Sequence, residues 1–308
     1  MAPSDRTIAV TGGTGFLGQA ICRALRASGL GVRSLLRSPT DVSRVLAAEG
    51  VQFVEGDLAN TAALDKLCQG AESVVHCAAY KPKKQPSTSD LINVQGTKDL
   101  VTAAQRNGVR KFIYVSSISV YRGTPQPEGG YTEALRPILD PRLNPYAFTK
   151  LAGEHAVEEL CSAAGMAFVI LRPTNVYGAG SLSWDESVAS TLKTWHIKFG
   201  RMDFDFVSLT DVVDATVAAV TSDVANEAFN IGGEMVDHVA FCTAIAKQRN
   251  IGAISLPRPI DWTIRWSLRL MEKLRGNIRG MDYTRPALYP HDKATRLLGY
   301  RPRPFGAA

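Results

Sequence analysis

The chain has no apolar run near the roughly 18–20 residues that a membrane span requires. Its start, Met1-Ala2-Pro3-Ser4-Asp5-Arg6-Thr7, carries no apolar leader. Both absences predict a cytoplasmic protein with no integral membrane span. Cysteine is sparse: five residues (22, 68, 77, 161, 242), an odd number without C-x-x-C spacing. That argues against a disulfide framework and for reduced thiols. The five histidines (76, 155, 196, 238, 291) are just as dispersed, so no metal site is expected. The net charge of +6 is spread over 308 residues rather than clustered. Nucleic acid is therefore not an expected partner, and an anionic small molecule accounts for the balance.

What is present is the make-up of one large α/β unit or two joined lobes, 45% hydrophobic and 21% charged. Thr7-Ile8-Ala9-Val10 reads as a short strand. Thr11-Gly12-Gly13-Thr14-Gly15-Phe16-Leu17-Gly18 follows, then a helical pattern from Ala20 to Leu25. Strand, glycine turn and helix together make such a pattern a dinucleotide-binding fingerprint. Gly12 permits the tight turn, Gly15 lets the backbone approach a pyrophosphate, and Gly18 lets helix and strand pack. The helix start offers its N–H groups to the phosphates.

The second strand, Val32 to Leu36, ends in Arg37 and Ser38, where an NAD-specific site carries Asp or Glu. These residues suit a 2′-phosphate, so NADP(H) is favoured and NAD(H) still allowed. The alternative leaves Arg37 as a solvated charge, with Asp41 or another group on the ribose. A third strand and its exit run from Gln52 to Leu58. A fourth, Ser73 to Ala79, ends in Cys77, Ala78 and Ala79, small enough for ribose and pyrophosphate to pass over. His76 is expected to be a packed strand residue.

The densest chemistry lies between residues 114 and 150. Val109 to Ser117 reads as a buried fifth strand with Val115, Ser116 and Ser117 at its tip, where ligands of doubly wound sheets sit. Tyr146 and Lys150 fall four residues apart on one helix face. A phenol that donates a proton, an ammonium that lowers its pKa from about 10 toward neutrality, and a hydroxyl that polarises a carbonyl are the parts of proton-coupled hydride transfer.

The G-x-x-G-x-x-G turn, the Ser-Ser strand end and the Y-x-x-x-K pair, in that order, resemble the extended short-chain dehydrogenase/reductase family. The chain looks most like its hydroxysteroid dehydrogenase and ketoreductase members. The resemblance implies Ser117 as carbonyl clamp with Ser116 behind it, Tyr146 as acid/base, and Lys150 as ribose anchor. It puts Asp57 on the adenine amine with Leu58 lining the ring, although Asp57 also reads as a helix cap. It makes Asn93 a support of the site. It places Pro173 at the nicotinamide amide and Asn175-Val176 at the following exit, with Asn175 on a diphosphate in nucleotide-sugar members.

The chain also departs from the family's patterns. Ser117-Ile118-Ser119 replaces the Thr-Asp-Glu of dehydratases, and Phe204 takes an Arg position that would meet a diphosphate. The stretch 179–203, with Trp184, Trp195 and Phe199, is short. These departures favour an apolar or aromatic substrate. Asp90 to Arg106 and Asp211 to Val220 read as helices, and Glu227 to Gly233 as a structural strand and turn. Arg122 to Asn144, with Thr132-Glu133, reads as a substrate rim or lid. Lys81, Lys83 and Lys84 sit in a solvated loop. Residues 260–274 form a basic amphipathic helix that caps the pocket or meets a membrane surface or another subunit.

The expected fold is a doubly wound parallel Rossmann sheet with a smaller interleaved C-terminal lobe. Residues 1–175, with 205–232 returning, would bind the cofactor; 176–204 and 233–308 would bind substrate. The expected activity is hydride exchange between NAD(P) and a secondary alcohol or ketone of a small molecule. The rivals are a nucleotide-sugar 4-epimerase with tightly held NAD and a non-catalytic NADP sensor. A homodimer is compatible with the sequence.

Overall fold

Short apolar runs separated by helices with a three-to-four-residue apolar period dictate a layered α/β arrangement. The structure, a computed structural model, describes residues 6–79, 91–140, 145–181, 184–198, 202–263, 266–267 and 286–306. The first six strands are β1 (Thr7–Thr11), β2 (Gly31–Leu36), β3 (Gln52–Glu55), β4 (Ala71–His76), β5 (Lys111–Val115) and β6 (Ala167–Pro173). The chain then leaves for β7 (Asn175–Tyr177), β8 (Ile197–Lys198) and β9 (Asp203–Ser208), and comes back as β10 (Glu227–Ile231). The central sheet has the order β10-β6-β5-β4-β1-β2-β3, every pair parallel. Strand order reverses between β1 and β4, which opens a crevice at their carboxyl ends. The expected Rossmann fold is the one observed.

The helices in chain order include α1 (Phe16–Ala27), α2 (Asp41–Ala48), α3 (Thr61–Cys68), α4 (Gly96–Arg106), α5 (Pro145–Ala164), α6 (Asp185–Trp195), α7 (Leu209–Thr221) and α8 (His238–Gln248), and the chain ends on a short helix, Asp292–Leu298. Alternation along each strand sorts its side chains between two faces. Ile8, Val10, Ile113 and Val115 pack against Ile21, Cys22 and Leu25 of α1 and Val212, Val213 and Ala219 of α7. Ala9, Val74, Phe112 and Tyr114 pack against Leu64, Leu67, Leu100, Ala104, Val157 and Cys161 of α3, α4 and α5. Burial on both faces explains why the strands read as nearly continuous apolar runs.

A second sheet has the order β11 (Glu234–Asp237)-β9-β7, with β9 antiparallel to β11 and parallel to β7. It packs on α6 and α8 through Tyr177, Val188, Leu192, Phe206, Phe241 and Ile245. A small pair joins β8 to β12 (Ile254–Ser255).

One expectation differs from the structure. Within the expected helix 90–106, residues Leu91–Gln95 form a π turn and the α-helix begins only at Gly96. A Cβ at Gly96 would lie 2.7 Å from Leu58 Cβ, so this helix start is pressed closely onto the chain after β3. The sixth strand ends at Pro173; after a break at Thr174 its exit, Asn175–Tyr177, belongs to the second sheet. The buried Asp205 carboxylate makes the break by accepting from the Thr174 hydroxyl (2.8 Å) and the Gly233 N–H (2.7 Å). Lys81, Lys83, Lys84, Phe199, and residues 264–265 and 268–274 of the expected basic helix lie outside the described residues.

Candidate active site

The glycine turn is built as its spacing demands. Gly12 has φ +74, and a Cβ there would lie 2.8 Å from the Ala78 backbone N, so the turn presses on the end of β4. A Cβ at Gly18 would lie 2.0 Å from the Gly12 carbonyl oxygen, so only glycine lets α1 start so close to β1. Gly15 caps α1 in an extended conformation with no side-chain cap, leaving the first-turn N–H groups to an outside acceptor. Thr14, Phe16 and Leu17 line the turn, half-buried; Cys77 and Ala78 face it, half-buried, and Ala79 is exposed. Burial pushes the Cys77 thiol up to about 12, so it is a packed thiol rather than a nucleophile.

At the neighbouring strand ends, Arg37, Ser38 and Asp57 are all exposed, and the Gly56 N–H donates to the Leu36 carbonyl at 2.9 Å. Asp41 pairs with Arg44 at 2.6 Å on α2. The cap of α3 is Asn60, whose side chain accepts from the Ala63 N–H at 3.0 Å, whereas Asp57 accepts from the Ala59 N–H. Asp57 is thus not the helix cap. Leu58 is buried against Gly96.

Pro145 opens α5, a position where its missing N–H costs nothing. Tyr146 and Lys150 follow one turn apart. Gly153 lets this helix descend on β5: a Cβ there would lie 2.3 Å from the Tyr114 hydroxyl. Lys150 is buried, donates to the Val115 carbonyl at 2.7 Å, and lies 4.8 Å from the Tyr114 ring centroid. Ser117, half-buried, caps the short 3₁₀ turn Ile118–Tyr121 and accepts from the Ser119 N–H at 3.2 Å.

The Tyr146 phenol is hydrogen-bonded to Ser117. Burial pushes this phenol above its ordinary value, and the Ser117 bond pulls the other way. The net direction is opposite to the lowering expected from Lys150, because withdrawing a phenolate from water outweighs the stabilisation offered to it. Ser116 gives its N–H to the Leu171 carbonyl at 2.7 Å, and its hydroxyl is buried without a partner among the described residues.

A buried chain of hydrogen bonds links the glycine strand to α5. Thr97 donates to the Asn93 carbonyl (2.6 Å), so it accepts from His76 Nε2 (2.9 Å); His76 Nδ1 then accepts from the Thr11 hydroxyl (2.6 Å). Burial, helped by the Lys150 charge, pushes His76 down to about 3, so it stays neutral. The Asn93 amide continues to the Thr149 hydroxyl (3.3 Å), which donates to the Tyr146 carbonyl (3.1 Å). His76 is packed as expected, and it also connects.

Some expected contacts are engaged elsewhere. The Asn175 amide donates to the Asp205 carbonyl at 2.8 Å, and the Val176 carbonyl accepts from Ser181 at 3.1 Å. Pro173 is buried opposite Ile231. The expected rim is fastened at its middle: the Asn230 N–H donates to Glu133 (2.7 Å) and its amide to the Tyr131 carbonyl (2.7 Å). Phe204 packs with Trp184 (5.8 Å between centroids) and His238 (5.7 Å), beside a cavity of about 180 Å³ lined by Trp184, Val188, Leu192, Ile197, His238 and Cys242.

Sequence reasoning missed two groups beside the site. One is the buried bidentate pair of Arg172 on β6 and Glu154 on α5, at 3.0 and 2.6 Å, with Arg172 also donating to the Tyr121 hydroxyl (2.8 Å). The signal was present: a charge that ends an apolar strand must find a partner. The other is the stack of Tyr121, Tyr131 and Tyr289, with centroids 5.1–6.1 Å apart, just beyond Ser117. No local pattern could announce rings that far apart in sequence.

The open helix start, the close glycine turn and the crevice at the sheet's reversal point fit a dinucleotide. Residues 8–232 match the model of the NAD dependent epimerase/dehydratase family. The chain belongs to that family. It is an enzyme of the short-chain dehydrogenase/reductase type, and NAD dependence comes with the family. Sterol demethylase protein B of Methylococcus capsulatus is 31% identical over 237 residues, 74% of this chain and 70% of that protein. Ceramide reductase of Caulobacter vibrioides is 34% identical over 56% of this chain, a match spanning only 47% of the relative. Among solved structures, UDP-glucuronic acid 4-epimerase of Bacillus cereus, with UDP-glucuronic acid and NAD, is 26% identical with TM-score 0.74, covering 97% of this chain and 94% of its own. The structure of gox2253 shares the fold, with TM-score 0.78 at 24% identity over 98% of this chain and 94% of its own.

Proposed function

We propose that this family member transfers hydride between a nicotinamide cofactor and a secondary alcohol or ketone of an apolar substrate. The observation that carries the proposal is the Tyr146 phenol hydrogen-bonded to Ser117 at the carboxyl end of β5, with Lys150 one helical turn away. The turn at Gly12, Gly15 and Gly18 and the residues Cys77 to Ala79 would hold the dinucleotide, with Asp57 at the adenine, Lys150 at the ribose and Pro173 at the amide. When bound, that group supplies the acceptor or donor of hydride. Ser117 donates a hydrogen bond to the substrate oxygen. Tyr146 delivers a proton to that oxygen during reduction and removes it during oxidation. A phenol held above its ordinary value is fully protonated at neutral pH, as reduction requires. Lys150 stabilises the phenolate left behind.

Two features support an apolar substrate. Phe204 sits among aromatic rings where a diphosphate partner would stand, and the Asn175 amide is engaged by the Asp205 carbonyl. Names of relatives, including a 3 beta-hydroxysteroid dehydrogenase and the ceramide reductase, agree in pointing to apolar ligands. The substrate would be held by the lobe of residues 176–204 and 233–308. A panel of hydroxysteroids and long-chain 3-oxo compounds should give net oxidation or reduction of NAD(P)(H). Interconversion of UDP-sugars without net cofactor change would replace this reading with 4-epimerisation.

Arg37 and Ser38, exposed at the end of β2, support a preference for NADP(H). Arg37→Ala should weaken NADPH binding roughly tenfold or more, the worth of one charge-assisted hydrogen bond, and leave NADH binding unchanged. Equal titration curves for NADPH before and after the substitution would remove the preference.

A further inference from the structure

The core between β1 and α5 holds five polar side chains, Thr11, His76, Thr97, Asn93 and Thr149, none more than 6% exposed. Apolar residues fill such places without needing partners, whereas a buried polar group left unpaired costs stability. Here every member is paired, in series. Thr11 also accepts from the Ala78 N–H at 3.3 Å, and Thr97 is hydrogen-bonded to the Tyr114 phenol as well. His76 is the middle link. One ring nitrogen takes the Thr11 hydroxyl on β1, and the other gives its proton to Thr97 on α4. No aliphatic side chain can join the two.

The two ends of the series reach the two halves of the site. At one end, Gly12 follows Thr11 and Cys77 to Ala79 follow His76, so both side chains adjoin the floor assigned above to the dinucleotide. At the other end, Thr149 precedes Lys150 and donates to the Tyr146 carbonyl one turn back. Apolar packing between α5 and the sheet has no direction, so it tolerates small slides. Hydrogen bonds have preferred lengths and angles, and they resist them. A phenol that must meet a substrate oxygen at about 3 Å needs that constraint.

We propose that His76 is a positioning residue: by donating to Thr97 it sets where Tyr146 stands relative to the bound dinucleotide. The proposal rests on the acid/base role given to Tyr146 above, and it applies to hydride exchange and 4-epimerisation alike, since both would use that phenol. His76 exchanges no proton with the substrate, because its ring is enclosed and both nitrogens are engaged. Thr11 orients the ring and selects the tautomer that carries its proton on Nε2. From Thr97 the constraint passes through the Asn93 carbonyl and amide to Thr149.

Three variants of the full chain test the role. His76→Leu removes both bonds, His76→Asn has an amide that reaches only toward Thr11, and His76→Gln keeps an N–H toward Thr97. In the Leu and Asn variants kcat should fall about 10–100-fold, the effect of a misplacement near 1 Å, with KM and dinucleotide affinity nearly unchanged. The Gln variant should recover most of the rate. Equal losses in all three variants, or a loss that follows KM or dinucleotide affinity, overturn the proposal. Rates are taken on whichever reaction the wild type performs in the panel above, so a failure of the hydride reading shows in the wild type and a failure of positioning only among the variants. A second readout needs no turnover. With tyrosine labelled at Cζ by carbon-13, the Tyr146 resonance, identified by its loss in Tyr146→Phe, should shift in the Leu and Asn variants and hold its place in the Gln variant. An unmoved resonance in the Asn variant overturns the proposal, and this measurement decides alone if the wild type is inert. If the Leu variant fails to fold, the Asn and Gln pair decides.

Discussion

Tyr146→Phe should lower turnover by about 10²–10⁴-fold and leave dinucleotide affinity nearly unchanged. The substitution deletes one oxygen and keeps the ring. Helix α5 and the Lys150 contact to the Val115 carbonyl, 2.7 Å, should therefore survive. What disappears is the proton that the Ser117-bonded phenol exchanges with the substrate oxygen. The direction of the phenol's shift also fixes the pH dependence. A phenol raised above its ordinary value of about 10 keeps its proton through neutral pH. Reduction should be flat from neutral pH up to about 10 and fall above it, whereas oxidation, which needs the phenolate, should rise with pH. Steady-state rates in both directions, with cofactor fluorescence titrations, make the check. Retained turnover in the Phe variant would exclude Tyr146 as the acid.

Glu154→Gln should destabilise the protein by about 3–5 kcal/mol, the typical result of stranding one member of a buried ion pair. Both side chains are almost wholly enclosed, 4% exposed for Arg172 and 1% for Glu154. Burial alone pulls the Arg172 pKa down; the Glu154 carboxylate more than offsets it, and the net direction is up. Without the carboxylate, a permanently charged guanidinium remains in the interior with only the Tyr121 hydroxyl and an amide to face. Urea unfolding should report the loss directly, and the thermal midpoint should fall by roughly 10 °C. Glu154→Leu combined with Arg172→Met should recover most of the stability, since an apolar pair of similar volume often equals a buried ion pair. A Gln variant within about 1 kcal/mol of the parent would contradict this account.

Local chemistry was legible in the sequence and long-range chemistry was not. The turn from Gly12 to Gly18, the small residues Cys77 to Ala79 and the Tyr146–Lys150 spacing each declare themselves within a dozen residues, because each serves one backbone conformation or one helix face. The break at Thr174 is set by a partner elsewhere, Asp205, and no window around it carries that information. The same holds for His76, whose neighbours Thr11 and Thr97 lie 65 and 21 residues away. Glu154 could have been read. It falls with Ala147, Lys150, Leu151, Val157 and Cys161 on the buried side of α5, where a carboxylate requires a cation.

The path of the chain through its layers has a practical consequence for anyone recombining these enzymes. The backbone quits the central layer after Pro173, rejoins it with Leu209 of α7, departs again after Ile231 and comes home with Ala294 and Tyr300. A chimera that exchanged the segments outside this layer between relatives would accordingly need four splice points. A single cut between Pro173 and Glu227 would pair β6, along Val169 to Pro173, with a β10 from the other parent.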